Sequence, residues 1–104
     1  MPIVRIEHPV PSFEAWKQAF DRDPADRKGS GVRRYQILRP HDDSNYVMVD
    51  VEFDTLLEAE AFLHRMETLW AGPGRVAMSN PRARIVDRVE ARELIPVIDS
   101  RVRP

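Results

Sequence analysis

Tyr46-Val47-Met48-Val49-Asp50-Val51-Glu52-Phe53-Asp54-Thr55-Leu56-Leu57-Glu58 decides the fold, because a strand pattern runs directly into a helix pattern there. Val47, Val49, Val51 and Phe53 alternate with Tyr46, Met48, Asp50 and Glu52, the period of two expected of a sheet with two different faces. Thr55-Leu56-Leu57-Glu58 then reads as a capping box, in which the Thr hydroxyl accepts from an orphan helix amide and the Glu reaches back to the Thr amide. Behind it Ala59, Phe62, Met66 and Leu69 recur at helical spacing, while Glu58, Glu60, Arg65 and Glu67 fall mostly off that stripe.

The flanking chain fits around this unit. Residues 3–8 predict a short strand with Val4, Ile6 and His8 on one face, ended by Pro9 and Pro11. Ser12 suits the N-cap of a first helix whose stripe is Phe13, Trp16 and Phe20; Pro24 breaks that helix, and Gly29-Ser30-Gly31 marks a turn. Residues 32–39 read as a second strand with neither phase cleanly apolar, which predicts a bulge or a sheet edge. Residues 40–45 form an exposed connection. Residues 71–81, rich in Gly and Pro, predict a loop with one helical turn at 76–78, and 83–90 a fourth strand.

The order is β-α-β-β-α-β, which predicts an α+β, ferredoxin-like domain over residues 1–90: one antiparallel sheet with both helices on one face. Its other face mixes Ile3, Tyr46, Met48 and Val86 with Arg5, Glu7, Asp50, Glu52 and Arg84, a composition suited to pairing with a second sheet. The tail, 91–104, holds the apolar cluster Leu94-Ile95-Pro96-Val97-Ile98, costly to leave in water and so expected on its own domain or a partner subunit.

With 104 residues, 42% hydrophobic and 32% charged, the chain has the composition of one soluble domain. A net charge of −1 gives no reason to expect nucleic acid or an anionic membrane as partner. The absence of Cys excludes disulfides, thiolate nucleophiles and Cys-held metals. No apolar run approaches the roughly 20 residues of a membrane span, and Arg5, Glu7 and His8 interrupt any leader-like segment, so the expected location is cytoplasmic.

The run His8, Phe13-Glu14-Ala15-Trp16, Phe20-Asp21, Gly31-Val32, Val49 to Asp54, Ala59 and Ala61-Phe62-Leu63 is similar to the dimeric α/β-barrel superfamily. The likeness is to small bacterial members near the antibiotic-biosynthesis-monooxygenase and cyclase-type groups. It implies a homodimer in which two sheets close into a barrel, with a pocket between each sheet and its own helices. Activities that the resemblance implies include cofactor-independent oxygenation and isomerisation of aromatic or polyketide-like substrates. Haem degradation is disfavoured, since the first strand lacks the Asn, and residues 71–81 lack the His, that this chemistry has in the superfamily.

Within this frame His8 is the candidate base, in phase with Val4 and Ile6 and so directed under the helices; the plainer reading is a half-buried His bonded to a loop carbonyl. Tyr35 is the candidate for orienting a substrate oxygen, with Tyr46 set aside as a sheet-interface residue. Trp16, Phe20 and Phe62 fit a pocket wall, though aromatics at helical spacing are more often ordinary core. His64 is a candidate contact at the pocket mouth, or a surface partner of Glu60. Arg33, Arg34 and Arg39 suit a carboxylate or internal ion pairs. His41-Asp42-Asp43 reads as a surface turn rather than a metal site, and no cofactor is expected. A non-catalytic ligand-binding or assembly dimer explains the same residues as packing.

Overall fold

The structure, a computed structural model, describes residues 1–72 and 80–95. Its elements run β1 (Pro2–Pro9), α1 (Phe13–Asp21), β2 (Arg34–Leu38), β3 (Tyr46–Glu52), α2 (Leu56–Ala71) and β4 (Arg82–Asp87). The four strands form one antiparallel sheet in the order β2-β3-β1-β4. This is the ferredoxin-like α+β arrangement that the sequence predicts.

Register places the two phases on opposite faces. Val4 lies opposite Val51 and Ile85, Ile6 opposite Val49 and Ala83, and His8 opposite Val47. The apolar members of this set belong to the core with Trp16, Phe53, Ala59 and Phe62, so the helices cover this face. Phe53 and Phe62, with ring centroids 5.2 Å apart, anchor α2 on the sheet. Ser12 Oγ accepts from the Ala15 amide and caps α1. The capping box of α2 is complete: Thr55 Oγ1 accepts from the Glu58 amide, and Glu58 accepts from the Thr55 amide.

Arg34–Leu38 is an edge strand, as its poor alternation predicts, and it is shorter than 32–39. Gly31 at φ +90° turns the chain just before it, and Val32 packs on the core instead of joining the ladder. A Cβ at Gly31 would only push the Glu58 carboxylate end aside, so it is the angle that favours glycine in this turn. The last strand also stops early: Arg88 leaves the ladder to pair with Glu52, and Val89 stands exposed.

The face away from the helices is ordered by ion pairs. Arg5 grips Asp50 through two hydrogen bonds of 2.8 and 2.9 Å, and Gln36 adds a third at 3.0 Å. Arg34 and Arg88 both bind Glu52, and the Tyr46 hydroxyl donates to Glu7 at 2.6 Å. Asp50 and Glu52 are buried beneath these partners. Of the apolar tail cluster, Leu94 and Ile95 are 88% and 77% exposed, so neither packs on its own domain. The rest of that cluster and the expected turn at 76–78 lie outside the described residues. No helix among the described residues is long and apolar enough to cross a membrane.

Candidate functional site

A cavity of about 480 Å3 lies between the sheet and both helices. Its floor is Ile6, Val49 and Val51, and its walls are Trp16, Phe20, Phe62, Met66 and Trp70. The size and apolar lining suit a small organic ligand. The rim is the connection from α1 to β2, where Arg22, Pro24, Ala25 and Arg27 line the cavity.

That connection is held from several sides. Arg27 donates to the Phe20 carbonyl at 2.8 Å and stacks over the Phe20 ring at 3.9 Å, with Tyr35 at 5.1 Å. Asp23, at φ 57°, accepts from the Arg27 amide. Arg65 of α2 donates to the Ala25 carbonyl and to Ser30 Oγ, both at 2.7 Å. The rim is therefore tied to both helices.

His8 is 1% exposed and lines the cavity. Its Nδ1 lies 3.0 Å from the Pro9 carbonyl oxygen. A carbonyl only accepts, so Nδ1 carries the proton and the neutral ring keeps its lone pair on Nε2. Nε2 is buried without a hydrogen-bond partner among the described residues. Burial pushes the imidazole below its ordinary 6.5, and the Pro9 bond offsets this only in part. The ring is thus a neutral base at pH 7. Leaving a buried polar atom unpaired costs about 1–3 kcal/mol.

Aromatic rings lead outward from His8. Trp16 lies 6.2 Å from it between ring centroids, Phe20 stacks on Trp16 at 5.0 Å, and Tyr35 meets Phe20 edge-on at 5.1 Å. His8, Trp16, Phe20 and Phe62 come together at the cavity. Tyr35 does not: it is 44% exposed on the edge strand, outside the lining, and the hydroxyl expected to orient a substrate beside His8 is separated from it by Phe20. His64 is exposed on α2 and also outside the lining, two residues and hence about 200° round the helix from Phe62.

Arg33 and Arg34 pair with Asp54 and Glu52, while Arg39 stacks on Phe13, so none of the three lines the cavity. No cluster of potential metal ligands occurs among the described residues, and His41 is exposed. The sequence reading does not single out Arg22, Arg27 or Trp70. Trp70 could have been found, since it continues the α2 stripe four residues beyond Met66. Arg22 and Arg27 are the cavity's only lining residues with a full charge among those described, and no acid lines it with them.

No family model and no curated protein matches the sequence. Solved structures do. SnoaB from Streptomyces nogalater, described as a cofactor-independent oxygenase, aligns in a mutant form with a TM-score of 0.66 at 14% identity, over 86% of this chain and 94% of that one. A dimeric ferredoxin-like protein from an uncultured marine organism gives 0.65 at 8%, over 88% and 97%. A provisional antibiotic biosynthesis monooxygenase from Nitrosomonas europaea gives 0.59 at 19%, over 86% and 100%. The chain is built on the ferredoxin-like fold that these antibiotic biosynthesis monooxygenase-like proteins share.

Proposed function

We propose that the chain is a cytosolic homodimer whose cavity binds an aromatic or polyketide-like phenol and oxygenates or isomerises it without a cofactor, His8 acting as the base. One observation carries this reading: a neutral imidazole on a 480 Å3 apolar cavity, its tautomer set by Pro9 and its Nε2 unpartnered among the described residues. Trp16, Phe20 and Phe62 form the wall that holds the ring system. The description of SnoaB as a cofactor-independent oxygenase supports the same chemistry.

Proton transfer from a phenol or an α-carbonyl C–H to Nε2 leaves an electron-rich anion, and the apolar lining withholds the water that would otherwise reprotonate it. In the oxygenation, this anion reduces O2 directly. A ring CH2 becomes C=O, one oxygen atom stays in the product, and the other leaves as water with the two hydrogens. In the isomerisation, His8 returns the proton to a different carbon. The two routes share the first step.

The dimer rests on the mixed face of the sheet and on the marine relative described as dimeric. Exposed Leu94 and Ile95 suit a contact with the second subunit. A second reading, a dimer that binds ligand without transforming it, is favoured by the position of Tyr35 outside the cavity. The His8→Ala variant separates the two. Turnover of a substrate found by screening phenols should be abolished with the melting temperature nearly unchanged, since the packing lost is offset by removal of an orphaned nitrogen. In the wild type, kcat/KM should fall on the acid side with an apparent pKa below 6.5. Undiminished turnover in the variant, or an equal loss of stability, removes His8 as the base.

A further inference from the structure

The connection from α1 to β2 folds back on itself and brings like charges together. The Val32 amide donates to the Arg27 carbonyl at 3.1 Å and the Gly31 amide to the Lys28 carbonyl at 3.2 Å, which sets Arg27-Lys28 beside Val32-Arg33-Arg34. These residues, with Asp23 and Tyr35, line a second pocket of about 270 Å3. It shares only Arg27 with the large cavity. Tyr35, Arg33 and Arg34, which the cavity leaves aside, thus gather here around four cations and one acid.

That acid is already engaged. Asp23 accepts from the Arg27 amide at 2.9 Å and faces the Arg27 guanidinium at 3.4 Å. Arg34 is held by Glu52, but the other cations have donors to spare. Arg33 meets Asp54 at 3.5 Å with both side chains more than half exposed, a pair weakened by water. Lys28 makes no ion pair among the described residues. Arg27 spends Nη1 on the Phe20 carbonyl, and the same list of contacts gives its Nε and Nη2 no partner among the described residues. Like charges drawn together by a turn cost stability until an anion answers them.

We propose that this pocket binds an organic phosphate, a phosphomonoester whose dianion is held by Lys28, Arg27 and Arg33 and whose organic part lies against Tyr35. Three cationic side chains suit the three terminal oxygens of a phosphate better than the two coplanar oxygens of a carboxylate. The Tyr35 hydroxyl adds a neutral donor, and its ring, 44% exposed, offers a face to the esterified group. The pocket stands apart from His8, so this assignment does not depend on the chemistry of the cavity.

Calorimetry in a phosphate-free buffer at fixed ionic strength tests it with phenyl phosphate, inorganic phosphate and benzoate. Phenyl phosphate should bind most tightly, since benzoate carries a single charge and inorganic phosphate leaves Tyr35 uncovered. Lys28→Gln and Arg33→Gln each remove one exposed cation and should weaken it roughly fivefold. Arg82→Gln, on the opposite edge strand, removes the same charge and should change nothing. Without anion, Lys28→Gln should melt no lower than the wild type, so that lost affinity is not lost folding. Amide 15N–1H signals of residues 27–35 should move on binding, while the indole signals of Trp16 and Trp70 in the cavity wall stay in place. The site is overturned by an equal loss in Arg82→Gln, by indole signals that shift in place of the amides, or by no binding of phenyl phosphate at millimolar concentration. Benzoate or inorganic phosphate bound as tightly as phenyl phosphate overturns the organic phosphate as its ligand.

Discussion

His8 and Glu52 are both buried and both titratable, and the sheet treats them in opposite ways. For His8, on the helix side, burial outweighs the bond to Pro9, so its pKa falls. Glu52, on the other face, is bound first by Arg88 and then by Arg34, which hold its carboxyl at about 2 against an ordinary 4.5. The linkage follows from each sign. For Glu52 the folded state resists protonation, so its stabilisation is full above pH 4.5 and is lost as pH falls toward about 2. For His8 the unfolded chain takes up a proton from 6.5 downward before the folded one does, so stability declines below pH 6.5 and levels off once the folded ring is protonated too. Thermal melting of Glu52→Gln beside the wild type checks the first point. The variant should be less stable at pH 7, and the gap should close between pH 4.5 and about 2; a gap independent of pH would mean that the carboxylate charge contributes nothing.

Among the elements, the strands and helix caps were legible from local sequence because their causes are local. Alternation over 46–53 sets the face of each β3 residue, and Thr55 with Glu58 closes the start of α2 within four residues. The same phases brought His8, Trp16, Phe20 and Phe62 to the cavity. Tyr35 had the right phase, but it sits on an edge strand with Phe20 between it and His8. The α1–β2 connection could not be read as a cavity rim. Its Pro24 and Gly29-Ser30-Gly31 announce only turns, and what shapes it is distant: Arg65 reaches Ala25 across 40 residues of sequence. Arg27 is the fastening at the α1 end. Arg27→Ala removes a hydrogen bond to the Phe20 carbonyl and the stack on Phe20, and should cost about 1–2 kcal/mol in denaturant unfolding. Arg27→Lys should recover little, because an ammonium cannot stack and donate in the same plane. Full stability in Arg27→Ala would show that Arg65 holds the rim unaided.

For the whole molecule, the uncovered side of the sheet is the feature that a single chain leaves over. Ile3 and Val86 lie there in one row with Glu52, and Met48 lies beside Glu7, with the Arg5–Asp50 pair between them: apolar patches interleaved with charged side chains. Pairing two such faces buries the apolar patches at a lowered electrostatic cost, because Asp50 and Glu52 already have arginines and Glu7 already accepts from Tyr46. Sedimentation should therefore report about twice the 12.1 kDa chain mass. Met48→Glu, which places a further carboxylate on this face, directly opposite Glu7, should shift it to the monomer. A concentration-independent monomer in the wild type would rule the dimer out. The cavity lies on the other side of the sheet, against the helices.

That cavity also has a photophysical consequence. The two tryptophans of the chain, Trp16 and Trp70, both stand in its wall. All of the protein's indole emission therefore originates within contact range of whatever occupies the space, and no distant fluorophore dilutes the signal. A conjugated ligand that absorbs in the near ultraviolet should quench that emission almost completely by energy transfer. The unmodified protein is in this way its own optical sensor of occupancy.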